Sequence, residues 1–160
     1  MAAHKLILDE FIDEQDYALI GIHCAIDGYR LAYFLNHYLD LKLKRKSDDL
    51  DFQNEIKYPI FEWFDKRKLV TWHLVANLCK VDKNVDQELG SLFTTSGTSK
   101  NFYLVPEYQK VNYFLKINSD YISESKQKVI LKNIQNIPQI VTAYTVNTEL
   151  IKSKNNLIFY

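Results

Sequence analysis

The most unusual local chemistry in this sequence is an acid placed just after a proline: Val105-Pro106-Glu107, followed by Asn112-Tyr113. Proline fixes the backbone as the chain leaves an extended segment, so Glu107 is presented at a bend. Two roles follow from that position. The carboxylate can accept backbone or tyrosine hydrogen bonds and hold the corner, or it can act as a general base beside Tyr113 in a cleft. No nucleophile or second acid stands nearby in the sequence, which favours the structural role. If a ligand site exists, its candidate residues are Arg30, Asn36, Glu107, Asn112 and Tyr113. Arg30 falls in the first turn of a helix, where free backbone N–H groups favour anions.

Other reactive residue types are present without the spacing that would make them work together. His23 and Cys24 are adjacent, and neighbours on a strand point to opposite faces, so they cannot readily pair with each other. No two of His4, His23, His37 and His73 are three or four apart, whereas a zinc site needs three or four converging ligands. His73 and Asn77 share a strand face but stand about 13 Å apart at the usual rise per residue, which makes them weak site candidates. The four glycines are scattered, with no phosphate-cradling loop, and H-E-x-x-H, C-x-x-C and nucleophile-elbow patterns are absent. No catalytic residue, metal ligand or cofactor is assigned, and the balance leans away from an enzyme.

Two basic clusters remain, Lys42-Lys44-Arg45-Lys46 and Lys66-Arg67-Lys68. Brought to one end of a sheet, Lys42, Lys44, Lys46, Lys66 and Arg67 would make a patch able to hold nucleic-acid phosphates. Flanking aspartates (Asp48, Asp49, Asp51 and Asp65) favour solvated edge and turn charges instead. Lys+Arg and Asp+Glu both number 20, so no global field steers the chain toward nucleic acid or an anionic membrane. The leading expectation is a domain that binds a protein partner or itself, because 11 tyrosines suit interfaces.

These residues need a scaffold, and 160 residues with 47% hydrophobic content fit one domain with a sizeable core. Cys24 and Cys79 lie in apolar runs and read as small buried hydrophobes. Met1 to Glu10 lacks the apolar core of a signal peptide, and no run approaches the ~20 apolar residues of a spanning helix. The expected setting is the cytoplasm, without a membrane.

Tyr17 to Cys24 is apolar on both alternating sets, which describes a central strand covered on two faces. Asp27 to Leu39 reads as an amphipathic helix capped by Asp27. Leu41 to Lys46 alternates as an edge strand with a lysine face. Tyr58 to Phe64 and Leu69 to Leu78 predict a hairpin around Asp65–Lys68. Val81 to Asn101, with its Thr/Ser/Gly run, reads as a flexible loop. Phe102 to Val105 is a short extended segment, and Val111 to Ile117 a further strand. A helix over Ser123 to Asn136 ends at Pro138, and Ile140 to Val146 is a strand. Leu157 to Tyr160 is an apolar tail that can add to the sheet. The predicted fold is a single α+β domain: a mixed or mostly antiparallel sheet of five to seven strands, with two helices packed on it.

At Val105-Pro106-Glu107 and Asn112-Tyr113 the chain resembles the IPExxxDY family, uncharacterised proteins of Bacteroidetes. Supporting similarity lies in Leu19-Ile20-Gly21-Ile22, in Tyr29-Arg30-Leu31-Ala32 with Asn36, and in Asn156-Leu157-Ile158-Phe159. Val105 stands for the family's isoleucine and Asn112 for its aspartate, with four residues between Glu107 and Asn112 rather than three. The resemblance implies a bacterial cytoplasmic protein and assigns no activity.

Overall fold

A computed structural model describes residues 17–52, 56–82, 99–120 and 122–159. Met1 to Glu10, residues 83–98 of the expected loop and Tyr160 lie outside the described residues. The elements run β1 (Tyr17–Cys24), α1 (Gly28–Leu39), β2 (Lys44–Arg45), β3 (Leu50–Phe52), β4 (Ile56–Tyr58), β5 (Ile60–Asp65), β6 (Val70–Ala76), β7 (Leu78–Asp82), β8 (Ser99–Tyr103), β9 (Tyr113–Asn118), α2 (Glu124–Gln135) and β10 (Ile140–Thr145). Six strands form one antiparallel sheet in the order β10-β1-β9-β6-β5-β2. Two ribbons, β3-β4 and β7-β8, stand apart from it. The expected α+β class and strand number hold, and every pairing is antiparallel.

Alternation along the strands builds two cores. Ile20 and Ile22 of β1, Trp72 and Leu74 of β6, and Leu115 and Ile117 of β9 face one side, where Leu31 and Leu35 of α1 and Ile134 of α2 cover them. Leu19, Val75 and Phe114 face the other side. There β3-β4, the 104–111 corner and the 146–157 segment supply the cover, through Tyr58, Leu104, Val111, Ile151 and Leu157. Both faces of β1 are therefore buried. Gly28 opens α1 with no side chain because a Cβ there would stand 3.2 Å from the Phe61 ring.

Helix ends follow their signals in part. Ser123 caps α2, its hydroxyl accepting from Lys126 N. Asp27 holds the N-cap position of α1 but makes no side-chain capping bond. Asp40 ends α1 in the left-handed conformation, φ 54°, a state aspartate tolerates better than most residues.

Several sequence expectations are corrected. The loop expected over Val81 to Asn101 begins and ends in strand, with Val81 and Asp82 closing β7 and pairing with Lys100 and Ser99 of β8. The strand expected over Leu41–Lys46 shrinks to Lys44–Arg45, because Asn36 takes both backbone groups of Leu43: Oδ1 accepts from Leu43 N at 2.8 Å and Nδ2 donates to Leu43 O at 3.1 Å. Tyr58–Phe64 divides at Pro59, which has no N–H to give to a ladder. Leu69–Leu78 divides at Asn77, whose backbone N–H and C=O bond Asn112 O and Leu104 N and carry the chain off the main sheet. The tail adds no strand; Lys154–Leu157 makes a turn of 3-10 helix across the second core. Cys24 is buried as expected, while Cys79 is half-buried.

Candidate binding crevice

The chain reverses between β5 and β6 through an Asx-type turn. Asp65 Oδ1 accepts from Arg67 N at 2.9 Å and from Lys68 N at 3.4 Å, and Leu69 completes the turn at φ 53°. This geometry lifts Lys66, Arg67 and Lys68 as a basic tip at one end of the sheet. The left-handed Asp40 swings Lys42 toward the same end. Lys42, Lys66, Arg67 and Lys68 edge a cavity of about 440 Å³ that Asp40, Trp63, Phe64 and Asp65 also line.

A second cavity of about 530 Å³ shares Asp40, Trp63, Asp65 and Lys68 with the first, so the two form one crevice. Its walls are mainly apolar, with Leu41 after α1, Trp63 and Trp72 from the sheet, Ile117 from β9, and Val129 and Ile130 from α2, and they also carry Asp40, Asp65, Ser119, Ser125, Lys126 and Asn133. Val129 is 59% exposed on its lip, and Phe64 is 47% exposed beside the basic tip. Among the described residues this is an apolar trough of ligand-binding size that opens onto a cationic edge. The chain's two tryptophans both line it.

The structure thus joins part of the expected basic patch and disperses the rest. Lys44 is exposed and pairs in register with Glu62 across the ladder. Lys46 Nζ lies 3.4 Å from Glu62 Oε2.

The five candidate ligand residues are each committed locally, apart from Arg30, which is exposed in the first turn of α1. Asn36 holds Leu43, as described above. Asn112 Oδ1 accepts from Cys24 N at 3.0 Å, serving an N–H that lies beyond the end of the β1-β9 ladder. Tyr113 donates its hydroxyl to Ile26 O at 3.0 Å on the helix face, and burial pushes it up to about 12. Glu107 reaches the opposite side of the sheet. There its carboxylate accepts from Lys152 N at 2.6 Å, Ser153 N at 2.8 Å and the Ser153 hydroxyl at 2.8 Å. The sheet therefore separates Glu107 from Tyr113, and Glu107 holds a corner as the structural reading expects, with the 152–153 backbone rather than a tyrosine as its partner.

Slight burial raises the Glu107 carboxyl, but the hydrogen bonds from Ser153, its own backbone and Lys152 outweigh it and hold the group below its ordinary value. A depressed carboxyl stabilises the fold above its unfolded pKa and loses that contribution as pH falls through the folded one. Glu107→Gln is expected to lower stability by about 1 kcal/mol or less near neutrality at this exposed site, and by less at pH 3 than at pH 7 as acid begins to protonate the wild type. Urea unfolding at pH 7 and at pH 3 measures both.

A row of charged groups that the sequence reading missed crosses the second face. In register, Lys44, Glu62, His73 and Lys116 stand side by side on β2, β5, β6 and β9. His73 Nε2 donates to Glu62 Oε2 at 2.8 Å, while its Nδ1 is buried with no hydrogen-bond partner. Lys116 is 5% exposed. Its Nζ donates to Leu157 O at 2.6 Å and sits 4.6 Å from the Tyr17 ring centre and 5.0 Å from that of Phe159. Burial pulls Lys116 down to about 8 and also pulls His73 down, against the upward pull of Glu62. This cluster is closed over by Tyr17 and Phe159 and ties the 157–159 segment to the sheet. The sequence signal for it was one lysine between Leu115 and Ile117, on the strand face that otherwise carries Asn112, Phe114 and Asn118.

Among the described residues, no three of His, Cys, Asp and Glu are grouped to hold a metal ion, and no helix is long and apolar enough to cross a membrane. The chain matches no family model, no curated protein and no solved structure.

Proposed function

We propose that this chain is a non-catalytic interaction domain that receives an apolar, acid-flanked segment of a protein partner in the crevice between α1, α2 and the β5-β6 tip. The observation that carries this reading is the continuity of the Trp63–Trp72 trough with the edge formed by Lys42, Lys66, Arg67 and Lys68. Aromatic anchors inside a charged margin are the composition of energetically productive interfaces. An enzymatic reading has less support, because Glu107 and Tyr113 serve opposite faces and Lys116 and His73 are covered.

A photo-crosslinking residue, benzoylphenylalanine, at Val129 tests the proposal in cells making the protein, with Val141 as control. Val141 is 82% exposed on β10, away from the crevice. Adducts with another protein are expected from position 129, absent from 141, and lost when Arg67 and Lys68 are both changed to Glu. No protein adduct from 129, or the same adducts from 141, would overturn it.

The exposed Phe64 among Lys66, Arg67 and Lys68 favours a second reading, single-stranded nucleic acid. Retention of RNA by the purified protein at low salt and its release at high salt would support it.

A further inference from the structure

On the sheet face opposite the crevice, a short stretch of chain covers two ionisable side chains. His73 and Lys116 are direct partners in the β6-β9 register, which sets their Cβ atoms about 5 Å apart. Both are buried, His73 at 6% exposure. The cover is Leu157–Phe159. Leu157 packs into the second core, and its carbonyl accepts from Lys116 Nζ at 2.6 Å. The Phe159 ring meets the His73 ring edge to face, with 5.1 Å between centres. Among the described residues, the Lys116–Leu157 bond is the one hydrogen bond that ties this stretch to the sheet, and Ile158 in its middle is 37% exposed.

Protonation would upset this arrangement at one atom. His73 spends its Nε2–H on Glu62 Oε2 at 2.8 Å, and among the described residues its buried Nδ1 has no partner. A neutral ring leaves Nδ1 as a bare acceptor, whereas the charged ring makes it a donor. A buried N–H without an acceptor carries its full desolvation cost. The new charge would also stand one strand away from Lys116. The charged groups that act on His73 are Glu62 on β5, Lys116 on β9 and Lys46 after β2, so two cations oppose one carboxylate that is already bonded. Lys44 lies beyond Glu62 in the same row. Tyr17 on β1 closes the Lys116 side with its ring. Tyr58 on β4, in the same core as Leu157, is pushed up to about 12 and stays neutral in acid.

We propose that Leu157–Phe159 is a proton-operated strap, closed over His73 and Lys116 while His73 is neutral and lifted when His73 takes up a proton. Lifting the Phe159 ring brings Nδ1 to water, which supplies the missing acceptor, and leaves the His73–Glu62 bond in place. The sign follows from linkage. Burial lowers His73 in the closed form, against the upward pull of Glu62, and opening returns it toward its ordinary value of about 6.5. The closed form therefore binds the proton less well. Closure is fully favoured above the ordinary value and is lost as pH falls from there toward the lowered one. Lys116 works in the same direction at higher pH. Held down to about 8, it is charged in both forms below that value, so His73 supplies the step in mild acid.

Fluorine NMR tests the strap in the full chain, with 4-fluorophenylalanine at position 159 alone. The difference in its shift between H2O and D2O measures water at the ring. That difference is expected to be a small fraction of the free amino acid's value at pH 8 and most of it at pH 5, with far-UV circular dichroism unchanged. Its midpoint should coincide with the titration of the His73 ring protons in the same sample. His73→Gln keeps a donor for Glu62 but cannot take up the proton, and should hold the strap closed at pH 5. A label as shielded at pH 5 as at pH 8 would overturn the proposal. So would equal opening in His73→Gln, or opening only together with loss of the dichroism signal. A midpoint apart from that of His73 would overturn it without any variant. The Val129 cross-linking result, on the other face, is independent of all of these.

Discussion

Replacing Asn77 by Ala is expected to destabilise the protein by about 3–4 kcal/mol, a loss that few single side-chain changes reach. Asn77 has no exposed surface, and its amide is fully spent. Nδ2 donates to Tyr108 O at 2.9 Å and to Val111 O at 3.0 Å, and Oδ1 accepts from Val105 N at 2.8 Å. Alanine strands Val105 N and Val111 O away from water, each carrying the cost of desolvation without a partner, while Tyr108 O keeps only the hydrogen bond from Val111 N. Asn77→Asp is the informative companion. It keeps an acceptor for Val105 N but loses both donors and buries a charge, so it should be at least as harmful as alanine. The urea midpoint of the two variants measures this; a shift equivalent to less than about 1 kcal/mol in both would show that the corner does not depend on the amide.

Lys116→Met is expected to act in the opposite direction. Moving an ammonium out of water is expensive, and one carbonyl with two aromatic rings compensates only in part, so a flexible apolar side chain of similar length should stabilise the fold by about 2 kcal/mol at pH 7. The sign with pH follows from linkage. With the folded pKa of Lys116 near 8 and the unfolded value near 10.4, the unfolded chain binds more protons between them. Wild-type stability should therefore rise from pH 8 toward pH 10. Above that, burial reverses the trend through Tyr58 and Tyr113, both pushed up to about 12, because a raised acid loses its stabilising effect as pH passes its unfolded value. Lys116→Met should flatten the first limb and leave the second. Thermal unfolding from pH 7 to pH 11 gives both limbs; an unchanged first limb in the variant would assign it to another group.

What could be read beforehand depended on how local the cause was. β1 was legible because eight consecutive residues carry apolar character on both faces, and α1 and α2 because their apolar spacing is helical. The splits at Pro59 and Asn77 were harder. Proline is a visible signal, but the end of β6 depends on Asn77 meeting Asn112 and Leu104, far along the chain. Likewise Asn36 shortened the lysine strand by a bond that only tertiary structure reveals. The basic clusters were visible as residues, yet Lys42 and Lys66 meet through two local turns at Asp40 and Asp65 while Lys44 and Lys46 point to the other face. The crevice itself was illegible, because its walls come from five separated segments. Lys116 was passed over because strand alternation alone does not say which second face is covered.

The position of β1 has a consequence for how the molecule is made. The first strand of the sheet lies between β9 and β10, with Ile20 opposite both Leu115 and Thr145. During synthesis its apolar residues emerge early, and neither ladder partner exists until most of the chain has followed. Pairings so distant in sequence slow folding and leave an aggregation-prone strand waiting. Truncated or stalled chains ending before β9 should therefore be the insoluble ones, and β1 together with β10, whose ladder is with β1, should gain protection from hydrogen exchange after the β5-β6 hairpin.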